Sequence, residues 1–139
     1  MKIRTLLLLI ATLLFSAHPY ALGLGKLKIE SALSQPLAAS IPIKLKPNEN
    51  IDDVHVALAS QDIFKKMGVE FGFQHRHVKV VLDRSNLNQP LLRMSTDSPF
   101  NEPFIELIVH IKTPTQQFNR SLTLLLDTPD NDNAPSVFN

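Results

Sequence analysis

The chain has 139 residues, room for a single domain, and a formal charge of only +1 at neutral pH. It contains no Cys, which excludes disulfides, thiolate metal sites, cysteine nucleophiles and lipid attachment at a processed N-terminal Cys.

The first element in chain order is an export signal. Lys2 and Arg4 precede Leu6 to Phe15, apolar except at Thr12, and then a more polar stretch, Ser16 to Ala21, that ends in a small residue. This is the three-part order of a secretory leader, and its apolar run is far short of the ~20 residues that span a bilayer. Cleavage is expected after Ala21, with Pro19 standing at the position two residues earlier where a small residue is usual; an uncleaved anchor is the alternative. Residues 1–21 thus read as a leader, 22–128 as one domain and 129–139 as a tail whose Asp, Asn and Pro content predicts disorder. Taking the two leader cations from the 14 in the chain leaves 12 basic residues against 13 acidic ones. Such a surface does not fit nucleic acid, whose binding needs a basic face.

From Leu22 onward the pattern is alternation with period two. Lys26 to Ala32 reads as a first strand. Leu37 to Lys46 is the clearest, with Leu37, Ala39, Ile41, Ile43 and Leu45 on one face. Pro42 lacks an N–H for a ladder and predicts an edge strand or a bulge there. Val54, Val56 and Leu58 mark a third strand. Ser60 to Met67 reads as a short helix with Ser60 as N-cap, Ile63, Phe64 and Met67 as its apolar stripe and Gly68 as its stop. Further strands follow at Val78 to Leu82, Leu91 to Thr96, Phe104 to Lys112 and Phe118 to Asp127, with Leu122, Leu124 and Leu126 inward in the last. About seven strands with turn signals between them and no βαβ alternation predict an all-β antiparallel sandwich, immunoglobulin-like, with one short helix.

Catalytic chemistry is not marked. His75 and His77 would share one side of an extended chain, but no third ligand stands at a recognisable spacing, so they read as exposed polar residues flanking a strand. His55 and His110 fall at outward strand positions. No nucleophile turn surrounds a Ser, no phosphate loop is present, and Glu102 and Glu106 carry no glycosidase signature. No catalytic residue, metal, cofactor or small-molecule substrate is expected; a hydrolase using His75 or His77 is the weakest reading. Binding is what remains. Ile108 and Leu125 fall on the otherwise outward faces of the last two strands, and with Phe104 and Phe118 they form the candidate interaction surface, open to β-augmentation. Cover by the helix or a loop is the competing expectation.

Several segments, read in order, resemble the N-terminal domain of the FimV family, called HubP or TspA in some lineages. Leu22-Gly23-Leu24-Gly25 runs into Ser31-Ala32-Leu33-Ser34-Gln35-Pro36-Leu37-Ala38-Ala39-Ser40-Ile41, similar to the family's opening. Leu58-Ala59-Ser60 with Phe64 and Gly68-Val69, then Glu102-Pro103-Phe104, then Leu124-Leu125-Leu126-Asp127 are similar to its later segments. The resemblance covers Leu22 to Pro129 and implies a periplasmic domain of proteins that organise the cell pole of Gram-negative bacteria and support type IV pilus assembly, type II secretion and motility. Envelope proteins of those systems are the implied partners. Relatives usually continue into a peptidoglycan-binding LysM module, a membrane span and an acidic cytoplasmic region, none of which is legible here. A free-standing, non-enzymatic periplasmic scaffold domain is therefore the expected function, with peptidoglycan association a weaker expectation and a remnant of a longer gene the alternative.

Overall fold

A computed structural model of the chain describes residues 22–129. The expected leader, residues 1–21, and all of the expected tail beyond Pro129 lie outside the described residues. Strands dominate, in the order β1 (Gly23–Leu24), β2 (Lys28–Ile29), β3 (Pro36–Lys44), β4 (His55–Leu58), β5 (Lys79–Asp83), β6 (Leu91–Pro99), β7 (Phe104–Lys112) and β8 (Gln117–Leu125). One helix, α1 (Gln61–Lys66), follows β4.

Two antiparallel sheets result. One runs β1-β3-β6-β5, with β2 also paired to β3; the other runs β4-β7-β8. Alternation sets which side chains meet between them. Leu37, Ala39, Ile41 and Ile43 of β3 and Leu92 and Met94 of β6 face Ile105, Leu107, Val109 and Ile111 of β7 and Leu122 and Leu124 of β8, all buried in one cluster. Aligned sheets packed face to face through such alternating residues are a β-sandwich, as the patterning predicts.

The first sheet departs from the sequence reading at several points. The expected first strand, Lys26 to Ala32, is instead two short pieces whose register on β3 slips by one residue between them: Gly23 and Leu24 pair Lys44 and Ile43, whereas Lys28 and Ile29 pair Ser40 and Ala39. Pro42 explains the break. The Gly25 N–H donates to the Pro42 carbonyl at 2.7 Å, so the Pro42 nitrogen, which faces the same side, points at the gap between β1 and β2 and leaves no donor unused there. Gly25 is the residue that fits, because a Cβ on it would stand 3.2 Å from the Pro42 ring. Pro42 therefore does not put β3 at an edge: β3 lies inside its sheet, and the bulge is in its neighbour. Finally, β6 runs past Thr96 to Pro99. Thr96 Oγ1 accepts the Leu37 N–H at 2.9 Å where the β3–β6 register shifts between Pro36 and Ala38, which lets the ladder continue.

The two conspicuous motifs of the sequence serve the backbone. Gln35 Oε1 accepts the Ala32 N–H at 3.0 Å, and the Gln35 carbonyl accepts the Phe100 N–H at 2.9 Å. Ser34 sits at a left-handed φ of 66° with its N–H donated to the Phe100 carbonyl. The Pro103 carbonyl accepts the Leu126 N–H at 2.8 Å. Each segment ties one end of the sandwich together.

Candidate functional site

The face of interest is the outer side of β4-β7-β8, where the sequence places apolar residues in outward positions. Ile108 points out from the middle of β7, yet it is 0% exposed. The chain leaving β4 covers it. The Ala59 N–H donates to the Ile108 carbonyl at 2.8 Å, which turns the backbone over β7. Six residues of helix cannot stand alone in water; α1 is held because Phe64, fully buried, packs with Ala59 on Ile108, flanked by Ile63, Val69 and Phe71. Ser60 occupies the N-cap position without a side-chain cap bond. Gly68 ends the helix in a left-handed turn, φ 74°, a backbone that favours glycine. Ile108 is thus removed from the candidate interaction surface, and the competing expectation of a covering helix is the one realised.

His75 completes this cover, and here the sequence reading is corrected. Phe73–His77 is a 3-10 turn, not an extended segment, so His75 and His77 do not share a side. His75 is buried, 8% exposed. Its ring stacks on Phe71 with centroids 5.1 Å apart and meets Phe64 edge-on at 5.0 Å. The Gly72 N–H donates to Nδ1 at 3.0 Å, and Nε2 lies 2.9 Å from the Glu106 carbonyl. An amide N–H can only donate and a carbonyl only accept, so the ring is neutral with its proton on Nε2. The imidazole fills the place of a missing strand: β4 pairs β7 only from Val109 to Lys112, and His75 reaches the carbonyl that β4 leaves free. Composition carried no sign of this role; the nearest signal was Gly72, three residues before the ring it serves.

His77 remains exposed and lies against Phe73, centroids 4.6 Å apart. Among the described residues no group of three or more His, Asp or Glu side chains is placed to hold a metal ion. His110 Nδ1 is 2.8 Å from Asn119 Oδ1 across the β7–β8 ladder, and the Ser121 hydroxyl donates to Glu106 Oε1 at 2.6 Å. Those outward polar groups are occupied with one another.

Phe118 leaves the candidate surface as well: it pairs Ile111, lies on the inward side of β8 and packs half-buried against the core. Phe104 and Leu125 remain. They stand directly opposite each other in the ladder and are 60% and 66% exposed. Beside Phe104 opens a shallow cleft of about 460 Å³ whose walls include Val69, Glu70, His75, Glu102 and Glu106. The site is thus an apolar pair at the end of a sheet whose middle is sealed by a helix.

No helix of the described residues is long and apolar enough to cross a membrane. No solved structure matches the chain. Two curated relatives do: the motility hub proteins FimV of Pseudomonas aeruginosa strains PAO1 and UCBPP-PA14, each 31% identical over 130 residues. The alignment takes in 92% of this chain but only 14% of either relative. A family model for the FimV N-terminal domain, described as Ig-like, matches residues 22–129. That stretch coincides with the sandwich and with the span over which the motifs resemble the family, and the chain belongs to the FimV N-terminal domain family.

Proposed function

We propose that the chain works as a non-catalytic protein-interaction domain in the periplasm of a Gram-negative bacterium, serving the assembly of motility machinery such as type IV pili. The observation that carries this reading is the match of the entire described fold to the FimV N-terminal domain and to relatives named motility hub proteins. The histidine that a hydrolase would recruit supports it further, since both nitrogens of His75 already hold backbone groups. The contact surface in this reading is the exposed Phe104–Leu125 pair. Envelope proteins of the pilus or secretion systems are the partners, and the leader at residues 1–21 delivers the chain to them.

The test is a chimera. Residues 22–129 replace the matching stretch of the Pseudomonas aeruginosa relative, and motility is measured in a strain lacking its own copy. Restored motility, lost again on Phe104→Ser with Leu125→Ser at equal protein level, is the expected result. Motility as low as in the deletion strain, with the chimera present at normal abundance, would refute the reading.

A further inference from the structure

The two ends of the sandwich's strand order are managed differently. The edge formed by β1 and β2 is short, broken and bulged beside Pro42, which are common protections against strand pairing. β8, the edge of the other sheet, has none of them. It is nine residues long, contains no Pro, carries Arg120 as its sole charge, and keeps one register on β7 from Gln117 to Leu125 without a bulge.

The direction of its backbone groups follows from hydrogen bonds already described. The carbonyls of Glu106 and Ile108 point away from β8, toward His75 and Ala59. Odd-numbered residues of β7 therefore bond β8, and they meet even-numbered residues there. Two bonds confirm the parity: the Leu126 N–H goes to the Pro103 carbonyl, and the Asp127 carbonyl turns the other way to accept the Leu33 N–H. The N–H and C=O groups of Gln117, Asn119, Ser121, Thr123 and Leu125 consequently face outward, and among the described residues no backbone group meets them.

We propose that this edge pairs with β8 of a second copy, antiparallel about a twofold axis through Ser121, to form one continuous six-stranded sheet. The sequence of the edge selects that occupant. In this register Ser121 faces Ser121 of the other copy, Asn119 faces Thr123 and Gln117 faces Leu125 on the outer side, while Phe118 faces Leu124 and Arg120 faces Leu122 on the inner side. No like charges stand opposite each other, and Asn119, whose Oδ1 meets His110, keeps its side-chain NH2 to donate to the Thr123 hydroxyl of the other copy. With a single charge the edge offers nothing to a strongly charged strand, whereas its own copy matches it in length, twist and register. A contact of one strand per chain buries less than the roughly 1,200 Å² of a stable interface, so the dimer is a weak one, formed at high local concentration. This inference stands apart from the proposed function, since it concerns the chain's contact with itself.

Sedimentation equilibrium of the purified full chain is the test, with amide hydrogen exchange as its second readout. The expected result is a mass that rises from one chain toward two between micromolar and millimolar concentration, with the outward amides of β8 gaining protection in step. Thr123→Pro removes one outward N–H and none of the β7 ladder, so it abolishes the rise while thermal unfolding stays close to that of the parent. Should that variant fail to fold, Asn119→Lys with Thr123→Lys sets lysine against lysine at both outer pairs and has the same expected effect. A chain that stays monomeric throughout the range overturns the proposal, as does a dimer indifferent to these variants. Protection of the outward amides in the monomer that disappears on deleting residues 130–139 would also overturn it, since the chain's own tail would then occupy the edge.

Discussion

The two sheets of the sandwich have outer faces of opposite character. That of β1-β3-β6-β5 is charged and bare of helix: Arg93 bonds Asp83 at 2.6 Å and approaches Glu30 at 4.0 Å, Lys28 approaches Glu30 at 3.5 Å, and Lys79 pairs Asp97. That of β4-β7-β8 is apolar in its middle and needs α1, Phe71 and His75 to seal Ile108. One face is finished by ion pairs in water, which contribute little each; the other is finished by a third layer of side chains. The difference shows how a domain with a small helical insertion can bury one outward position while leaving its neighbours Phe104 and Leu125 exposed.

The comparison can be broken from its covered side first. Phe64→Ala removes the largest side chain over Ile108 and is expected to cost about 3–5 kcal/mol, as for other buried Phe, measured by denaturant unfolding. His75→Ala deletes two backbone partners and a stacked ring, and about 2–3 kcal/mol is expected from unsatisfied polar groups together with the space left. Hydrogen exchange at Gly72, whose amide loses its acceptor, should quicken beyond the global effect.

On the charged face the expected effects are smaller and depend on pH. The Ser85 hydroxyl, then the Ser85 N–H, then the Arg93 guanidinium hold the Asp83 carboxyl well below the usual carboxylate range. A carboxyl lowered in the native state adds stability above its unfolded value, and that stability fades as pH falls toward the native value. Asp83→Asn should therefore be less stable than the parent by a constant margin from neutral pH down to about pH 4, the ordinary carboxylate value, and the margin should close in stronger acid. Thermal unfolding at a series of pH values measures it; a margin that grows on acidification would contradict the assignment. Smallest of all, Phe104→Ser with Leu125→Ser should change stability by less than about 1 kcal/mol, since the two residues are exposed, while removing the contact surface assigned to them.

Where alternation runs unbroken, the fold was legible in the residues. β7 has the bounds that its pattern predicts, because Ile105, Leu107, Val109 and Ile111 recur at every second position and Ile108 is the one apolar residue out of phase. The helix was legible from Phe64 and Gly68, both of which act as expected. The split of the first strand was not, since the one-residue slip depends on the Pro42 ring meeting Gly25 across two segments distant in sequence. The site was legible only in part. Phe104 and Leu125 are exposed, but Ile108 and Phe118 look the same in one dimension and are distinguished by which neighbour arrives over them. His75 was misread because a polar residue beside a strand is ordinarily exposed, and only the unfilled edge of β7 gives its ring two backbone partners.

The positions where the chain enters and leaves the sandwich carry a mechanical consequence. Gly23 lies beside Lys44 at one end of β3, while Asp127 is bonded to Leu33 next to the other end. The length of a nine-residue strand, about 25–30 Å, separates entry from exit. A longer polypeptide built through such a domain would run in line with it rather than loop back. Tension applied along that polypeptide would strain the two-residue β1 pairing and the nine-residue β7–β8 ladder alike, and the shorter would give way first, so the segment around Gly23 and Leu24 would act as the release point and the core as a spacer.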